Sequence, residues 1–169
     1  MTAQVHAIGD SVMQGAGPDL YATLLVAIPG IEVDAVPSRQ FREASALVRA
    51  RVELDPLPDR LVIHLGTNGA FADSSFDELM RAADRIAQVV FVTVKAPRDW
   101  EPRVNERLGD GVDRHAPRAS LVDWNSTATE CRDHLRPDGF HLSRTGARAY
   151  AETIAACVRG LDVPAAAGR

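Results

Sequence analysis

A three-layer α/β fold, with helices on both faces of a parallel five-stranded sheet, is what this sequence predicts. Three observations carry it. Apolar runs of strand length alternate with stretches of helical periodicity along the whole chain. Two of those runs, residues 61–65 and 89–94, are apolar nearly throughout, the mark of strands buried on both faces. The bulk properties suit one soluble domain: 169 residues, 46% hydrophobic and 25% charged, long enough to bury a full core.

The first strand, residues 5–8, ends in Gly9-Asp10-Ser11. Apolar residues then recur at helical spacing over 12–28, and Pro18 sets the start of the main helix, leaving 14–17 as a loop. Pro29-Gly30 stops it. Residues 31–36 alternate as a strand that ends at Pro37-Ser38-Arg39-Gln40. A helix is predicted over 41–54, with Ala44, Leu47, Val48 and Val52 inward, and a turn over 55–59. The strand 61–65 runs into Gly66-Thr67-Asn68-Gly69. Residues 76–87 form a helix capped among Asp73, Ser74 and Ser75. The strand 89–94 leads to a loop over 95–102, a helix over 104–115 and a last strand over 119–124. Residues 125–142 are a long polar loop, and such loops in compact domains are more often functional than accidental. A helix over 143–158 closes the domain, with Tyr150, Ile154 and Val158 facing in. The domain is expected to occupy residues 1–160, and residues 161–169 a frayed tail.

The charge balance excludes some partners. A formal net charge of −4 advertises no basic face for nucleic acid. No apolar run reaches the length of a membrane span, and the first residues lack a basic stretch followed by an apolar one. The chain as given therefore carries no export signal of its own, and it can equally be a piece of a longer protein. Cys131 and Cys157 form no CxxC and have no histidine at zinc-site spacing. They read as two reduced thiols, or as a disulfide if the domain works outside the cytosol.

Polar residues of the right kinds for acyl transfer gather at three places that a doubly wound sheet can bring to one edge. They are Asp10-Ser11, Gly66-Thr67-Asn68 and Asp138-Gly139-Phe140-His141. Ser11 opens a helix, where free N–H groups and the positive helix end favour an oxyanion. Taken alone, Ser11 is as well read as an N-cap, and Asn68 and Asp138-Gly139 as turn residues. Together they fill every role of a serine mechanism. Ser11 is the nucleophile, and His141 the base, since imidazole titrates near neutral pH. Asp138, three residues earlier, orients the ring. The Ser11 N–H, the Asn68 amide and a backbone N–H near Ser38 are the candidate oxyanion donors. Asp10, Arg39, Gly66, Arg98 and Trp100 are candidate substrate-binding residues, the arginines and the indole as the lining of a sugar site.

Other clusters are weaker. His134 is a second choice of base, because it lacks an acid at matching spacing. Asp133, His134, Asp138 and His141 could hold a metal but have no compact ligand spacing, so neither a metal nor another cofactor is expected. His6 and His64 fall in predicted strands and are core or edge residues. Asn125-Ser126-Thr127 is a glycosylation sequon by chance.

The three ordered blocks resemble the SGNH (GDSL-type) hydrolase superfamily. Gly9-Asp10-Ser11-Val12-Met13, Leu65-Gly66-Thr67-Asn68-Gly69, residues 95–100 with Asn105, Val122-Asp123-Trp124 and Asp138-Gly139-Phe140-His141-Leu142 are similar, more narrowly, to the extracytoplasmic SGNH domains of membrane O-acetyltransferases. The resemblance covers residues 5–154. It implies a flavodoxin-like α/β fold and acyl-ester chemistry on a carbohydrate hydroxyl through an acyl-Ser11 intermediate, by transfer or by hydrolysis. It also implies an acetylated carbohydrate or other acyl ester as substrate, a separate membrane acyltransferase domain as acyl donor, and an extracytoplasmic location. A stand-alone cytoplasmic esterase stays open. Many superfamily members carry a glycine after the second strand as an oxyanion donor, where this chain has Pro37-Ser38-Arg39-Gln40. The competing reading is a catalytically weak or degenerate domain that binds a glycan or an anion.

Overall fold

Period-two burial explains how the strands assemble into one two-sided sheet. A computed structural model of the chain describes residues 4–27 and 30–160. Its strands are β1 (Gln4–Gly9), β2 (Gly30–Ala35), β3 (Arg60–His64), β4 (Gln88–Val92) and β5 (Ala119–Val122). They pair in the order β2-β1-β3-β4-β5, every pair parallel. The helices are α1 (Ser11–Ala27), α2 (Ala44–Val52), α3 (Asp73–Ala82), α4 (Glu101–Arg114), α5 (Trp124–Glu130) and α6 (Arg144–Gly160). The expected tail, residues 161–169, and the expected helix stop around Pro29 lie outside the described residues.

Val5 and Ala7 of β1, Val62 of β3 and Val90 and Val92 of β4 turn to one face, under Val12, Met13 and Ala16 of α1, Trp124 of α5 and Tyr150, Ile154 and Val158 of α6. Ile8, Leu61, Ile63, Val89 and Phe91 turn to the other, under Val48 of α2, Phe76 and Leu79 of α3, and Val104 and Leu108 of α4. That face is stapled by aromatic stacks, with the Phe41 and Phe71 rings 3.7 Å apart and Phe76 and Phe91 4.3 Å apart. The three-layer architecture is the one the alternation predicts.

Three local expectations are corrected, the simplest being the third helix, which runs over Asp73–Ala82 with Ala72 at its N-cap and not over 76–87 with a cap among Asp73, Ser74 and Ser75. The first helix does not wait for Pro18 but begins at Ser11. The Asp10 carboxylate accepts the Val12 N–H at 2.9 Å, and the Asp10 carbonyl accepts the Gln14 N–H at 3.0 Å, so the first turn forms immediately. Pro18 is exposed, so water can satisfy the carbonyl whose partner the proline removes. The stretch read as a polar loop over 125–142 holds a helix, α5, and a 3-10 turn over Arg132–His134. Asp123 caps α5 by accepting the Ser126 N–H at 3.0 Å, and Trp124, predicted as the end of the last strand, is the first residue of this helix.

Candidate active site

In the observed strand order β2 lies on one side of β1, and β3, β4 and β5 lie on the other. The crevice at such a switch point, beyond the carboxyl ends of the strands, is where open α/β sheets bind ligands. Ser11 follows β1 and Asn68 follows β3, so both border it. Gly9 pairs with His64 across β1 and β3, which brings the Gly9-Asp10-Ser11 turn beside the Gly66-Thr67-Asn68 turn.

The third block arrives from the far end of the chain. The turn 136–139 closes with the Gly139 N–H on the Arg136 carbonyl at 2.9 Å, and Gly139 takes the left-handed φ of 80° that a side chain would resist. The loop is tied down on both sides. Leu135 and Leu142 form an antiparallel bridge, the Arg136 N–H donates to the His141 carbonyl at 2.8 Å, and Arg136 Nε donates to the Leu142 carbonyl at 3.0 Å. Ser143 then caps α6, its hydroxyl accepting the Gly146 N–H at 3.0 Å.

This loop places His141 Nε2 3.2 Å from Ser11 Oγ and His141 Nδ1 2.9 Å from Asp138 Oδ2. A carboxylate only accepts, so in the neutral ring Nδ1 carries the hydrogen and Nε2 is left as acceptor for the Ser11 hydroxyl. Asp138 Oδ1 also accepts the Phe140 N–H at 3.1 Å and the His141 N–H at 3.0 Å. Burial pushes the Asp138 carboxyl up, but the His141 ring and these two N–H groups outweigh it and hold the carboxyl below its ordinary range. The three residues named from the sequence are thus joined in one hydrogen-bonded relay.

The oxyanion candidates sit around the same crevice. Ser11 is the first residue of α1, a position whose N–H has no partner inside the helix. Asn68 Nδ2 is held by the Asp10 carboxylate at 3.4 Å and the Arg39 carbonyl at 3.3 Å. Ser38 is exposed and has a φ of 64°, the left-handed value that a glycine adopts freely. It follows Pro37 in a turn closed by the Arg39 N–H on the Val36 carbonyl at 3.4 Å. The serine therefore keeps the backbone form of a glycine at this point.

Of the five candidate substrate-binding residues, the structure separates two from three. Arg98 and Trp100 line a hollow of about 160 Å³ together with Thr67, Asn68 and Phe140. The Arg98 guanidinium lies 5.9 Å from the Trp100 ring centre, and the indole N–H donates to the Thr67 carbonyl at 3.3 Å. The other three are corrected, because they face inward. Asp10 is fully buried and spent on the Val12 N–H and Asn68. Arg39 is 9% exposed and donates to the Gly9 and Asp34 carbonyls and the Asp34 carboxylate. Gly66 is buried with a φ of 123°, and a Cβ there would stand 2.7 Å from Val104. These three build the site from below.

The remaining candidates fall away from it. His134 stacks on Trp124 and its ring contacts the Thr127 carbonyl, so it does not compete as a base. His6 and His64 are buried strand residues, as expected. His64 Nδ1 meets the Tyr150 hydroxyl at 2.6 Å, tying β3 to α6. Burial lowers the His64 pKa and raises that of Tyr150 well above its ordinary value, so both stay neutral. Cys131 and Cys157 are free thiols, so the disulfide option is not realised. The sequence reading missed Gln14, Gly15 and Arg136, which line a second hollow with Ser11 and His141. The i, i+3 spacing of Ser11 and Gln14 on one helix face was the available signal.

Comparisons with known proteins bear on this geometry. No family model matches the chain. Over 147 residues, 87% of its length, it is 33% identical to peptidoglycan O-acetyltransferase OatA of Listeria monocytogenes, of which it spans 22%. Among solved structures, the C-terminal catalytic domain of a Streptococcus pneumoniae peptidoglycan O-acetyltransferase, described with a methylsulfonyl adduct, superposes with a TM-score of 0.81 at 22% identity, covering 95% of this chain and 94% of that one. A Slackia heliotrinireducens protein assigned to the SGNH hydrolases superposes with a TM-score of 0.76 at 17% identity, covering 94% of this chain and all of that one.

Proposed function

We propose that this chain, which has the fold of the SGNH (GDSL-type) hydrolases and is similar in sequence to peptidoglycan O-acetyltransferases, moves acetyl groups on and off carbohydrate hydroxyls through an acyl-Ser11 intermediate. The unbroken hydrogen-bonded line Asp138–His141–Ser11 carries the reading. His141 Nε2 takes the hydroxyl proton as Ser11 Oγ attacks the ester carbonyl. The imidazolium that forms is stabilised by Asp138, which stays ionised. The Ser11 N–H and one hydrogen of the Asn68 amide donate to the oxyanion, and the Asn68 bonds at 3.3 and 3.4 Å are long enough for one of them to be exchanged for it. His141 then returns its proton to the leaving oxygen, and the acetyl group stays on Ser11.

A second hydroxyl resolves the intermediate. If it belongs to a sugar the outcome is transfer, and if it is water the outcome is hydrolysis. The two share all the machinery above and differ in acceptor binding and water exclusion. Arg98 and Trp100 flank Asn68 and are placed to hold the sugar beside the acyl group, with the indole face as a platform. The relatives' names support a cell-envelope glycan as acceptor. The chain spans about a fifth of the relative's length, leaving room there for a membrane domain that supplies the acyl group, and this domain would work outside the cytoplasmic membrane. Among the described residues no helix is long and apolar enough to cross a membrane.

Release of p-nitrophenol from p-nitrophenyl acetate by the wild type, Ser11→Ala and His141→Ala tests the reading. Turnover by the wild type and loss of it in both folded variants supports the serine mechanism. Equal rates in all three overturn it in favour of a glycan-binding module.

A further inference from the structure

The overall acidity of the protein is not shared by the walls of the hollows that border Ser11. Acidic residues outnumber basic ones by 23 to 19 in the chain. Yet, among the described residues, the three hollows that open around Ser11, Asn68 and the 135–142 loop are lined by Lys95, Arg98, Arg132 and Arg136, while the nearby carboxylates of Asp138 and Glu101 are engaged by His141 and Lys95. The largest, about 650 Å³, lies against Pro137 and Gly139 on the loop that carries Asp138 and His141, and Lys95, Arg132 and Arg136 line it. Arg136 also lines the hollow that contains Ser11 and His141, so this residue joins the two spaces.

The cations differ in how free they are. Lys95 stands 3.4 Å from Glu101 and is partly neutralised. Arg136 has its Nε fixed on the Leu142 carbonyl at 3.0 Å, which anchors the guanidinium fork at the wall of both hollows. Arg132 is exposed at the start of the 3-10 turn. A fork of this kind matches a carboxylate in two parallel hydrogen bonds. A cleft of this volume is roomy enough for a short run of sugar rings.

We infer that this cleft is an acceptor subsite for a carboxylate-bearing glycan, whose acid groups sit on Arg132 and Arg136 while a neighbouring ring presents its hydroxyl to Ser11. The inference deepens the acyl-serine reading by naming the charge of the acceptor, and rests on it for the role of the bound sugar. Binding itself needs no turnover. A neutral glycan can take single hydrogen bonds from the two guanidinium groups but not the charge-assisted pair that a carboxylate takes, so the subsite discriminates by charge.

The test is calorimetric titration of the whole chain with a galacturonic acid pentamer and, beside it, a neutral N-acetylglucosamine pentamer. Wild type and Ser11→Ala are expected to bind the acidic pentamer alike and about tenfold more tightly than the neutral one. Salt should weaken only the acidic pentamer. Arg132→Gln should remove most of the preference and Arg132→Lys keep part of it, and thermal melts of both confirm that this exposed position is not needed for folding. Equal affinity for the two pentamers, or a preference that survives Arg132→Gln, overturns the subsite. If Ser11→Ala binds as expected while the wild type releases no p-nitrophenol from p-nitrophenyl acetate, the subsite stands and the acyl-serine reading falls.

Discussion

Asp10 and Asp138 flank the same nucleophile and make the same local bond, yet they belong to two different kinds of structure. Each accepts the N–H two residues ahead, Val12 at 2.9 Å and Phe140 at 3.1 Å. Asp10 is fully buried at the end of β1, with the Asn68 amide on its carboxylate and the Arg39 guanidinium on the carbonyl of the preceding Gly9. The Asp138 side chain is 40% exposed, on a loop held by its own hydrogen bonds. The strand-end half of the site is a product of the core. The loop half is mounted on the core. The first can be altered only at the expense of folding, and the second can be altered for its chemistry alone.

The sharpest separation is expected from Asp138→Asn. Loss of the orienting charge should reduce kcat for p-nitrophenyl acetate by about a thousandfold or more, with the thermal midpoint near that of the wild type. A comparable fall in stability would erase the distinction between the halves. On the strand side, Gly66→Ala forces a Cβ against Val104 at a φ of 123° and should cost about 3 kcal/mol in denaturant unfolding. Asp10→Ala should cost about 2 kcal/mol, by stripping the cap from α1 and the anchor from Asn68, and should reduce turnover with it.

Titration sharpens the comparison further. Asp138 is held below its ordinary range by His141 and two N–H groups, so it stays charged as the pH falls through the usual aspartate region. What it adds to stability is present above that region and is lost as the pH falls through the lowered native value. Its exposure keeps that contribution small. In His141→Ala the ring bond is gone and burial still pushes upward, so the Asp138 carboxyl should titrate at higher pH by carbon NMR. An unchanged titration would show that the ring does not hold it. The smallest effect is expected at Ser38→Gly. Relief of the left-handed φ of 64° exceeds the added chain entropy by about 0.5 kcal/mol, and turnover should persist because only the backbone is involved.

What could be read from the sequence follows the same division. Apolar runs predict the layers, and the order of the three blocks points to Ser11, Asp138 and His141, which the fold brings within hydrogen-bond distance of one another. Local patterns could not say which polar residues point inward. Asp10, Arg39 and Gly66 looked like surface chemistry because burial is decided by what packs over a residue, here Val104 and the strand ends. The helix α5 was hidden because its one buried aromatic, Trp124, continues the apolar run of β5. Its cap, Asp123, falls inside the same predicted strand. Arg136 carries no periodic signal, and its place between two hollows is set by the return of the loop onto Leu142.

The most direct test of the central claim is to trap the intermediate. The wild type is mixed briefly with p-nitrophenyl acetate, quenched in acid and digested, and the peptide bearing Ser11 is examined by mass spectrometry. An acetyl group on Ser11, absent from Ser11→Ala and strongly reduced in His141→Ala, is the predicted result. Turnover with no acetyl on Ser11, or an acetyl at another residue that accounts for the burst of p-nitrophenol, would contradict it.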